Sequence, residues 1–304
     1  MPAQRRFGMD HEHYDWSPFT SRGVLRWPDN ARVALCVIVN LEKMEWSPPE
    51  GSFTPSLAGG SIGRAFPDYS RMAHREYGHR VGIFRVLEVL DKHGIKATVA
   101  MDALTAENYP YLVAHCKGRG CEIIGHGISV SRMITSNMPE EEEREYIRTS
   151  VEALRRATGT APAGWMSPEY GESSRTPGLL AQAGISYVCD WANDEQPYPM
   201  KAQWGELFAL PTMLEMDDIH ALWDRRVAID RYGLLLREGF DTLYRDGEQN
   251  GRLLVLNLHP WLIGQPFRIG VLDDALGYMV RRQGVWAATG SQIIDWYRRH
   301  PPGA

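Results

Sequence analysis

Apolar runs that suit buried strands alternate along this chain with segments of helical periodicity, and this alternation constrains the fold most. Residues 31–40 (ARVALCVIVN) form a continuous apolar, β-branched run, which is typical of a strand buried on both faces. Residues 78–94 follow, with apolar side chains at helical spacing and Gly94 where a helix commonly ends. Repeated units of this kind indicate a mainly parallel sheet covered by helices.

The alternation continues to the C-terminus. Further strands are predicted at 95–101, 121–125, 162–167, 185–191, 207–212, 252–259 and 285–290, and helices at 108–120, 136–159, 173–184, 227–246, 268–284 and 291–300. The sequence has no GxGxxG or GxxxxGK[ST] motif, which favours a barrel over a nucleotide-binding fold. We predict an N-terminal arm (1–30) and a single catalytic domain (31–300), an α/β fold built as a distorted (β/α) barrel of about seven parallel strands. Residues 43–78 are predicted to form a long loop insertion.

Composition narrows the class of protein. The chain has 304 residues, of which 43% are hydrophobic and 23% charged, so it can bury a sizeable core. A net charge of -5 gives no indication of a nucleic-acid or membrane partner. No apolar run approaches the roughly 20 residues that span a bilayer, and the N-terminus lacks the apolar core of a signal peptide. We expect a cytoplasmic protein with a small-molecule substrate, and the aromatic arm favours a homo-oligomer, a dimer or a tetramer.

Polar and aromatic residues follow the predicted strand ends, where a parallel barrel places its catalytic groups. The candidate catalytic residues are Glu42, His126, Asp190 and His259, and the candidate substrate-binding residues are Asn40, Trp165, Ser167, Glu169, Trp191, Glu215 and Trp261. Histidines and carboxylates at successive strand ends are typical of a hydrolase. Each also has a structural interpretation, because a histidine after a strand is often a packing residue and an aspartate often begins a helix.

In order and spacing, several stretches resemble the polysaccharide deacetylase (NodB-homology) superfamily. The resemblance is narrower to its metal-independent branch of allantoinase-like and cyclic-imide-hydrolase-like proteins. The stretches are VALCVIVNLE, EYGHRVGIFRVLEVLDKHGIKATV, GCEIIGHG, GTAPAGWMSPEYGESSRTPGLLAQAG, YVCDW and LVLNLHPWLIGQPFRI, which lie within residues 28–298. The resemblance implies a barrel of the NodB-homology type and hydrolysis of a C–N bond.

The metal-site positions depart from the pattern of the family's deacetylases. Those enzymes resemble one another in a first-strand Asp-Asp pair and a later His-x-x-x-His, whereas this chain has Glu42-Lys43 and His126 followed by Val130. A protonated lysine has no lone pair to give, and a catalytic zinc usually needs three protein ligands. We therefore predict no metal cofactor. The alternative is a Zn²⁺ held by Glu42, His126 and an acidic residue such as Asp217 or Asp218.

The third motif has also changed. Where the family's sugar deacetylases carry Arg-x-Pro-Tyr, residues 166–170 read MSPEY without the arginine. This disfavours a sugar N-deacetylase and favours a hydrolase that opens a small cyclic amide, ureide or imide. Two alternatives stay open: a metal-dependent polysaccharide or N-acetyl deacetylase with non-standard ligands, and a catalytically inactive relative that binds a ligand.

Each candidate receives a predicted role in ring opening. Glu42 is the predicted base, with a pKa raised toward neutrality by desolvation among Trp46, Trp165 and Trp261. His259 is predicted to protonate the leaving nitrogen, and His126 to bind or polarise the carbonyl. Asn40 is predicted to help place the ring, and Asp190 to orient a histidine.

Overall fold

Strands and helices alternate throughout residues 11–50, 52 and 67–302, the part of the chain that the computed structural model describes. The strands found there are β1 (Val33–Leu41), β2 (Thr98–Met101), β3 (Glu122–Gly125), β4 (Gly164–Trp165), β5 (Tyr187–Val188), β6 (Tyr198–Met200), β7 (Leu207–Ala209), β8 (Arg252–Leu258) and β9 (Val285–Ala287). The α-helices found there are α1 (Tyr69–Tyr77), α2 (Ile83–Lys92), α3 (Ala103–Asn108), α4 (Pro110–Gly118), α5 (Glu140–Thr158), α6 (Thr176–Gln182), α7 (Ile229–Asp246), α8 (Pro260–Ile263), α9 (Ile269–Val280) and α10 (Gly290–Arg299).

The strands form one curled sheet. Their order is β6-β7-β5-β4-β3-β2-β1-β8, and β9 pairs with β1. All of these pairs are parallel except β6 with β7. The sheet curls into a half-barrel, which confirms the predicted α/β fold of the NodB type. The antiparallel strand β6 was not predicted, because it is short and contains Pro199, a residue that sheets accept at an edge.

Strand β1 is the centre of the core. All nine of its residues are buried, as predicted for a strand covered on both faces. Leu35 and Val37 pack into the larger apolar cluster beneath the helices, and Cys36 and Ile38 pack into the cluster on the other face. Burial of each large aliphatic side chain contributes about 1.5–3 kcal/mol, so β1 anchors the strand ends that carry the site.

Part of the predicted loop insertion at 43–78 is helical, which corrects that prediction. The Asp68 carboxylate accepts hydrogen bonds from the backbone N–H groups of Ser70 and Arg71 and so caps α1. The buried side of α1 carries Met72 but also Arg75, so the apolar periodicity of a helix is weak there. A π-helical turn at Gly78–Gly82 joins α1 to α2. Residues 51 and 53–66 of the predicted insertion lie outside the described residues.

The described part of the predicted N-terminal arm packs on its own chain. Leu25 and Trp27 are fully buried, and the Trp27 indole N–H donates to the carbonyl of Arg252 at 2.8 Å. Residues 1–10 of the arm lie outside the described residues, and the homo-oligomer stays a prediction. No helix in the described part of the chain has the length and hydrophobicity to cross a membrane. The cytoplasmic location stays a prediction.

Candidate active site

Three of the predicted catalytic residues meet at the carboxyl edge of the sheet. Glu42 follows β1, His126 follows β3 and His259 follows β8. The Glu42 Oε1 atom lies 3.2 Å from His259 Nε2 and 4.0 Å from His126 Nε2. All three residues are buried, so their charges act on one another with little screening by water.

Arg75, which the sequence analysis did not single out, is the direct partner of Glu42. Its Nη1 donates to Glu42 Oε2 at 2.5 Å, and the two side chains are only 10% and 4% exposed. The guanidinium lies over the ring of Trp261, with its Cζ atom 4.9 Å from the ring centroid. Helix α1 therefore brings a fixed cation to the carboxylate.

The predicted rise in the pKa of Glu42 is wrong. Burial alone would raise this pKa, but the charges of Arg75 and the two histidines outweigh burial and hold the pKa of Glu42 well below its usual range. The tryptophans contribute less than predicted: Trp46 is 41% exposed, and Trp165 lies in the core, where its N–H donates to Ser167. The surroundings of the carboxylate are charged rather than aromatic.

His259 is held at both ring nitrogens. Its Nδ1 donates to Asp218 Oδ1 at 2.6 Å, and its Nε2 faces Glu42. Its backbone N–H donates to the other Asp218 oxygen at 2.8 Å, which fixes the carboxylate relative to the ring. Burial lowers the pKa of His259, but Asp218 and Glu42 more than reverse this, and the pKa lies well above its usual value. His259 is thus an imidazolium with a proton on Nε2 to give.

The prediction that Asp190 orients a histidine is wrong. Its carboxylate accepts the backbone N–H of Ser167, at 2.8 and 3.1 Å, and Asp218 orients His259. Asp218 lies in the connection after β7, 41 residues before its partner. The acidic pair after that strand was visible in the sequence, but the residue that it contacts was not.

A network of hydrogen bonds supports the acid from below. Asp217 Oδ2 accepts from the Tyr170 hydroxyl at 2.7 Å and from Asn257 Nδ2 at 2.6 Å, and its Oδ1 accepts from the backbone N–H of Ile219. Asn40 Nδ2 in turn donates to Asn257 Oδ1 at 2.6 Å. Asn40 is therefore part of this buried network, where its own Oδ1 has no hydrogen-bond partner among the described residues.

The tautomer of His126 follows from its contacts. Its Nδ1 lies 2.7 Å from the carbonyl oxygen of Met166, which can only accept, so Nδ1 carries the proton. The buried Nε2 has no hydrogen-bond partner among the described residues, and burial lowers the pKa of the ring. A neutral His126 therefore presents a lone pair to the site. The prediction that it polarises a carbonyl needs correction, because that role requires a donor.

The residues present do not fit the metal site of the family's deacetylases. Val130 is buried between Met44 and Met72. The Lys43 ammonium lies 5.0 Å from the centre of the Tyr109 ring. That leaves two candidate ligands, Glu42 and His126, and the Glu42 carboxylate already pairs with a guanidinium.

The predicted replacement ligands do not restore this site. Within the described ranges, the one group of His, Cys, Asp or Glu residues with three ligand atoms within 4.8 Å of one another is Asp217, Asp218 and His259. The His259 Nδ1 atom carries a proton toward Asp218, and hydrogen bonds already engage both oxygens of Asp217. The two aspartates thus lie on the Nδ1 side of His259, on hydrogen bonds that a cation would have to break.

The predicted substrate-binding residues divide into two groups. Glu169 faces the site, with its Oε1 3.8 Å from Arg75 Nη2, and Trp261 packs on Arg75. Trp165 and Ser167 are fully buried and bonded to each other, Trp191 packs against Tyr14 of the N-terminal arm, and the exposed Glu215 pairs with Arg225. For this second group the substrate-binding prediction is wrong, because none of these four contacts the catalytic side chains.

Comparison with known proteins fits this architecture. Residues 76–188 match the family described as polysaccharide deacetylase. The structure of Puue allantoinase superposes with a TM-score of 0.81 at 24% identity, covering 91% of this chain and 94% of that one. The curled sheet and its strand-end residues define a hydrolase fold of the NodB type. The chain carries a polysaccharide deacetylase domain and is a hydrolase of that family.

Two further proteins are similar along most of their length. A Schizosaccharomyces pombe protein named "Putative polysaccharide deacetylase" is 28% identical over 303 residues, which cover 90% of this chain and 93% of the relative. The peptidoglycan deacetylase of Helicobacter pylori is 22% identical over 258 residues, which cover 74% of this chain and 87% of the relative. The similarity therefore extends well beyond the residues that match the family.

Proposed function

We propose that the protein is a metal-independent hydrolase that opens a C–N bond in a small cyclic amide, imide or ureide. The observation that carries this proposal is the buried chain from Arg75 through Glu42 and His259 to Asp218. It supplies a fixed cation, a carboxylate and a proton donor in line, all from side chains. The similarity to a protein named allantoinase supports a ring amide as substrate.

Water activation requires acceptors at the reacting centre. Glu42 Oε1 and His126 Nε2 are both acceptors, and they lie 4.0 Å apart, a separation that one water molecule can bridge with two hydrogen bonds. The water oxygen attacks the ring carbonyl while its proton passes to Glu42. Because its pKa is low, Glu42 is a weak base, so the attack depends on the nearby cations to stabilise the developing oxyanion.

Ring opening then requires a proton on the leaving nitrogen. His259 Nε2–H gives that proton as the C–N bond breaks, and Asp218 keeps the imidazolium in place. The proton taken up by Glu42 returns to His259 across their 3.2 Å contact, which restores both groups. A strained ring opens more readily than an acetamide, so the reaction makes a smaller demand on electrophilic help.

The test is turnover of succinimide, hydantoin, dihydrouracil and allantoin by freshly purified protein, with and without a chelator, together with its metal content. We expect ring opening that resists chelation, and loss of at least about a hundredfold in rate for Glu42→Gln and for His259→Ala. An exposed control, Glu215→Gln, should retain the wild-type rate. Turnover within a few-fold of wild type in both site variants would refute the assignment.

A second candidate is a metal-dependent deacetylase, favoured by the names of the two deacetylase relatives. One zinc per chain and activity lost on chelation would establish that candidate instead. An absence of turnover on the whole panel, with tight binding of a ring compound, would favour an inactive ligand-binding relative.

A further inference from the structure

Arg75 and Glu169 lie side by side without a hydrogen bond between them. Arg75 Nη1 is bonded to Glu42, whereas its Nη2 is 3.8 Å from Glu169 Oε1, beyond hydrogen-bonding distance. The Glu169 side chain is 26% exposed, more than either partner in the Arg75–Glu42 pair. One donor and one acceptor are thus both available to a ligand at the mouth of the site.

The backbone fixes Glu169 in this place. Glu169 and Tyr170 have φ values of 53° and 56°, in the left-handed region that non-glycine residues rarely adopt. The turn is closed by hydrogen bonds from the N–H of Tyr170 to Ser167 and from that of Gly171 to Pro168. Strained conformations of this kind persist only where the surroundings hold them, and they cluster at functional sites.

Electrostatics show that Glu169 faces the catalytic groups. Burial raises the pKa of Glu169, Arg75 opposes that rise, and Glu42 and His259 also act on it. A carboxyl group that interacts with both the base and the acid lies within reach of a substrate bound between them.

We propose that Arg75 and Glu169 together bind the O=C–N–H edge of a ring amide, which deepens the proposed function and rests on it. Arg75 Nη2–H donates to a ring carbonyl oxygen, and Glu169 accepts the ring N–H. The carbonyl oxygen and the nitrogen of one amide are about 2.3 Å apart, so both can reach a donor and an acceptor spaced as these are. The N–H bond to Glu169 leaves the developing nitrogen lone pair free to face His259.

The same geometry selects rings over open chains. In a small ring the amide is forced to be cis, so its C=O and N–H share one edge. An open secondary amide, such as an N-acetyl group, is trans and presents these groups on opposite edges. A donor and an acceptor placed side by side therefore fit cyclic imides and ureides and fit N-acetyl sugars poorly.

The test compares succinimide with N-methylsuccinimide, which keeps the carbonyls and lacks the N–H. We expect wild-type kcat/KM to favour succinimide by at least about tenfold, because N-methylation leaves the Glu169 acceptor without a donor. Glu169→Ala should reduce this preference to about twofold, chiefly by slowing succinimide. Glu169→Gln should keep part of the preference, since its amide oxygen still accepts, and the exposed control Glu215→Gln should keep all of it.

Several outcomes would overturn the inference. It fails if Glu169→Ala discriminates as the wild type does, or if both substrates slow equally, which would mean that Glu169 only positions Arg75. Glu169→Met, which keeps the length of the side chain without its acceptor, provides the same comparison if the alanine variant does not fold. If the wild type opens neither ring, the proposed function fails and this inference with it. If it opens both rings alike, the inference alone fails.

Discussion

At the scale of single residues, the two oxygens of Glu42 have separate partners. One oxygen is bonded to Arg75 and the other faces the two histidines. The first contact keeps the carboxylate ionised, and the second connects it to the acid and to the water that it activates. Predictions at this scale therefore concern protonation as much as rate.

Replacing the cation should change the pH profile. In Arg75→Met, the buried Glu42 loses the charge that lowers its pKa most, so its pKa rises. Activity needs the ionised base and is lost as pH falls through that pKa, so the acidic limb of kcat/KM should move to higher pH. Breaking a buried pair also costs about 3–5 kcal/mol of stability. An unmoved acidic limb would contradict this, and Arg225→Met, at an exposed pair, is the matched control.

Removing the partner of His259 should move the other limb. The Asp218 charge raises the pKa of His259, and the acid is lost as pH rises through that raised pKa. In Asp218→Asn the pKa of His259 falls, so the basic limb of kcat should move to lower pH. The measurement is kcat across pH at saturating substrate. A basic limb at the wild-type position would assign it to another group.

The sequence located Glu42, His126 and His259 because each follows a strand, and parallel strands bring such positions to one edge. It could not locate Arg75, which stands on a helix that reads as a loop because its buried side carries a charge. Nor could it pair His259 with Asp218, because that contact spans 41 residues and leaves no periodic signal.

At the scale of elements, the segment after His259 packs backbone to backbone on the turn between α1 and α2. A Cβ atom on Gly82 would lie 2.0 Å from the carbonyl oxygen of Pro260, and one on Gly264 would lie 2.4 Å from the same oxygen. Pro260 directly follows His259, and α1 carries Arg75. This close contact therefore fixes the distance between the acid and the cation.

Gly82→Ala should accordingly damage catalysis as well as stability. The added methyl group must push Pro260 away, which displaces His259, and overpacking of this kind costs about 1–3 kcal/mol. We expect a lower kcat in protein that is still folded at low temperature, checked by circular dichroism and turnover. Gly178→Ala is the matched control, because its Cβ meets nothing within 4 Å. A folded Gly82→Ala enzyme with the wild-type kcat would show that the contact is merely structural.

Elements with strong patterns were predicted and those with weak patterns were not. β1 reads clearly because a strand buried on both faces is continuously apolar. β6 has three residues and a proline, and its pairing with β7 depends on tertiary contacts rather than on composition.

At the scale of the whole molecule, a buried acid should make stability depend on pH. Burial raises the pKa of Asp190 to about 7, although hydrogen bonds from Ser167 oppose the rise. Between its unfolded pKa of about 3.9 and this value, the folded state holds a proton that the unfolded state has lost. The contribution of Asp190 to the free energy of unfolding therefore falls as pH rises through this range.

Asp190→Asn should remove that contribution, because the amide oxygen still accepts the Ser167 N–H and does not titrate. Relative to wild type, the variant should gain stability on going from about pH 5 to about pH 8. Urea denaturation at both pH values gives the comparison. Equal changes in both proteins would mean that Asp190 titrates near its ordinary pKa.

The alternation of elements was sufficient to predict a parallel half-barrel, but not where its sheet ends. Strand order at the edges is set by contacts such as β9 with β1, between segments about 250 residues apart. The described part of the arm behaves similarly: Trp27 reads as a loop aromatic, yet it is buried beside a strand more than 200 residues away.

The buried Val130 also bears on how such a chain can evolve. A histidine there would put a polar ring between Met44 and Met72, and with Lys43 unchanged it would still lack a third ligand. Replacing Arg75 first would leave Glu42 as an uncompensated charge. Each single step toward the deacetylase pattern thus passes through a less stable intermediate with no new activity. Descendants of this sequence should diversify by changing which rings they accept, rather than by reverting to a metal.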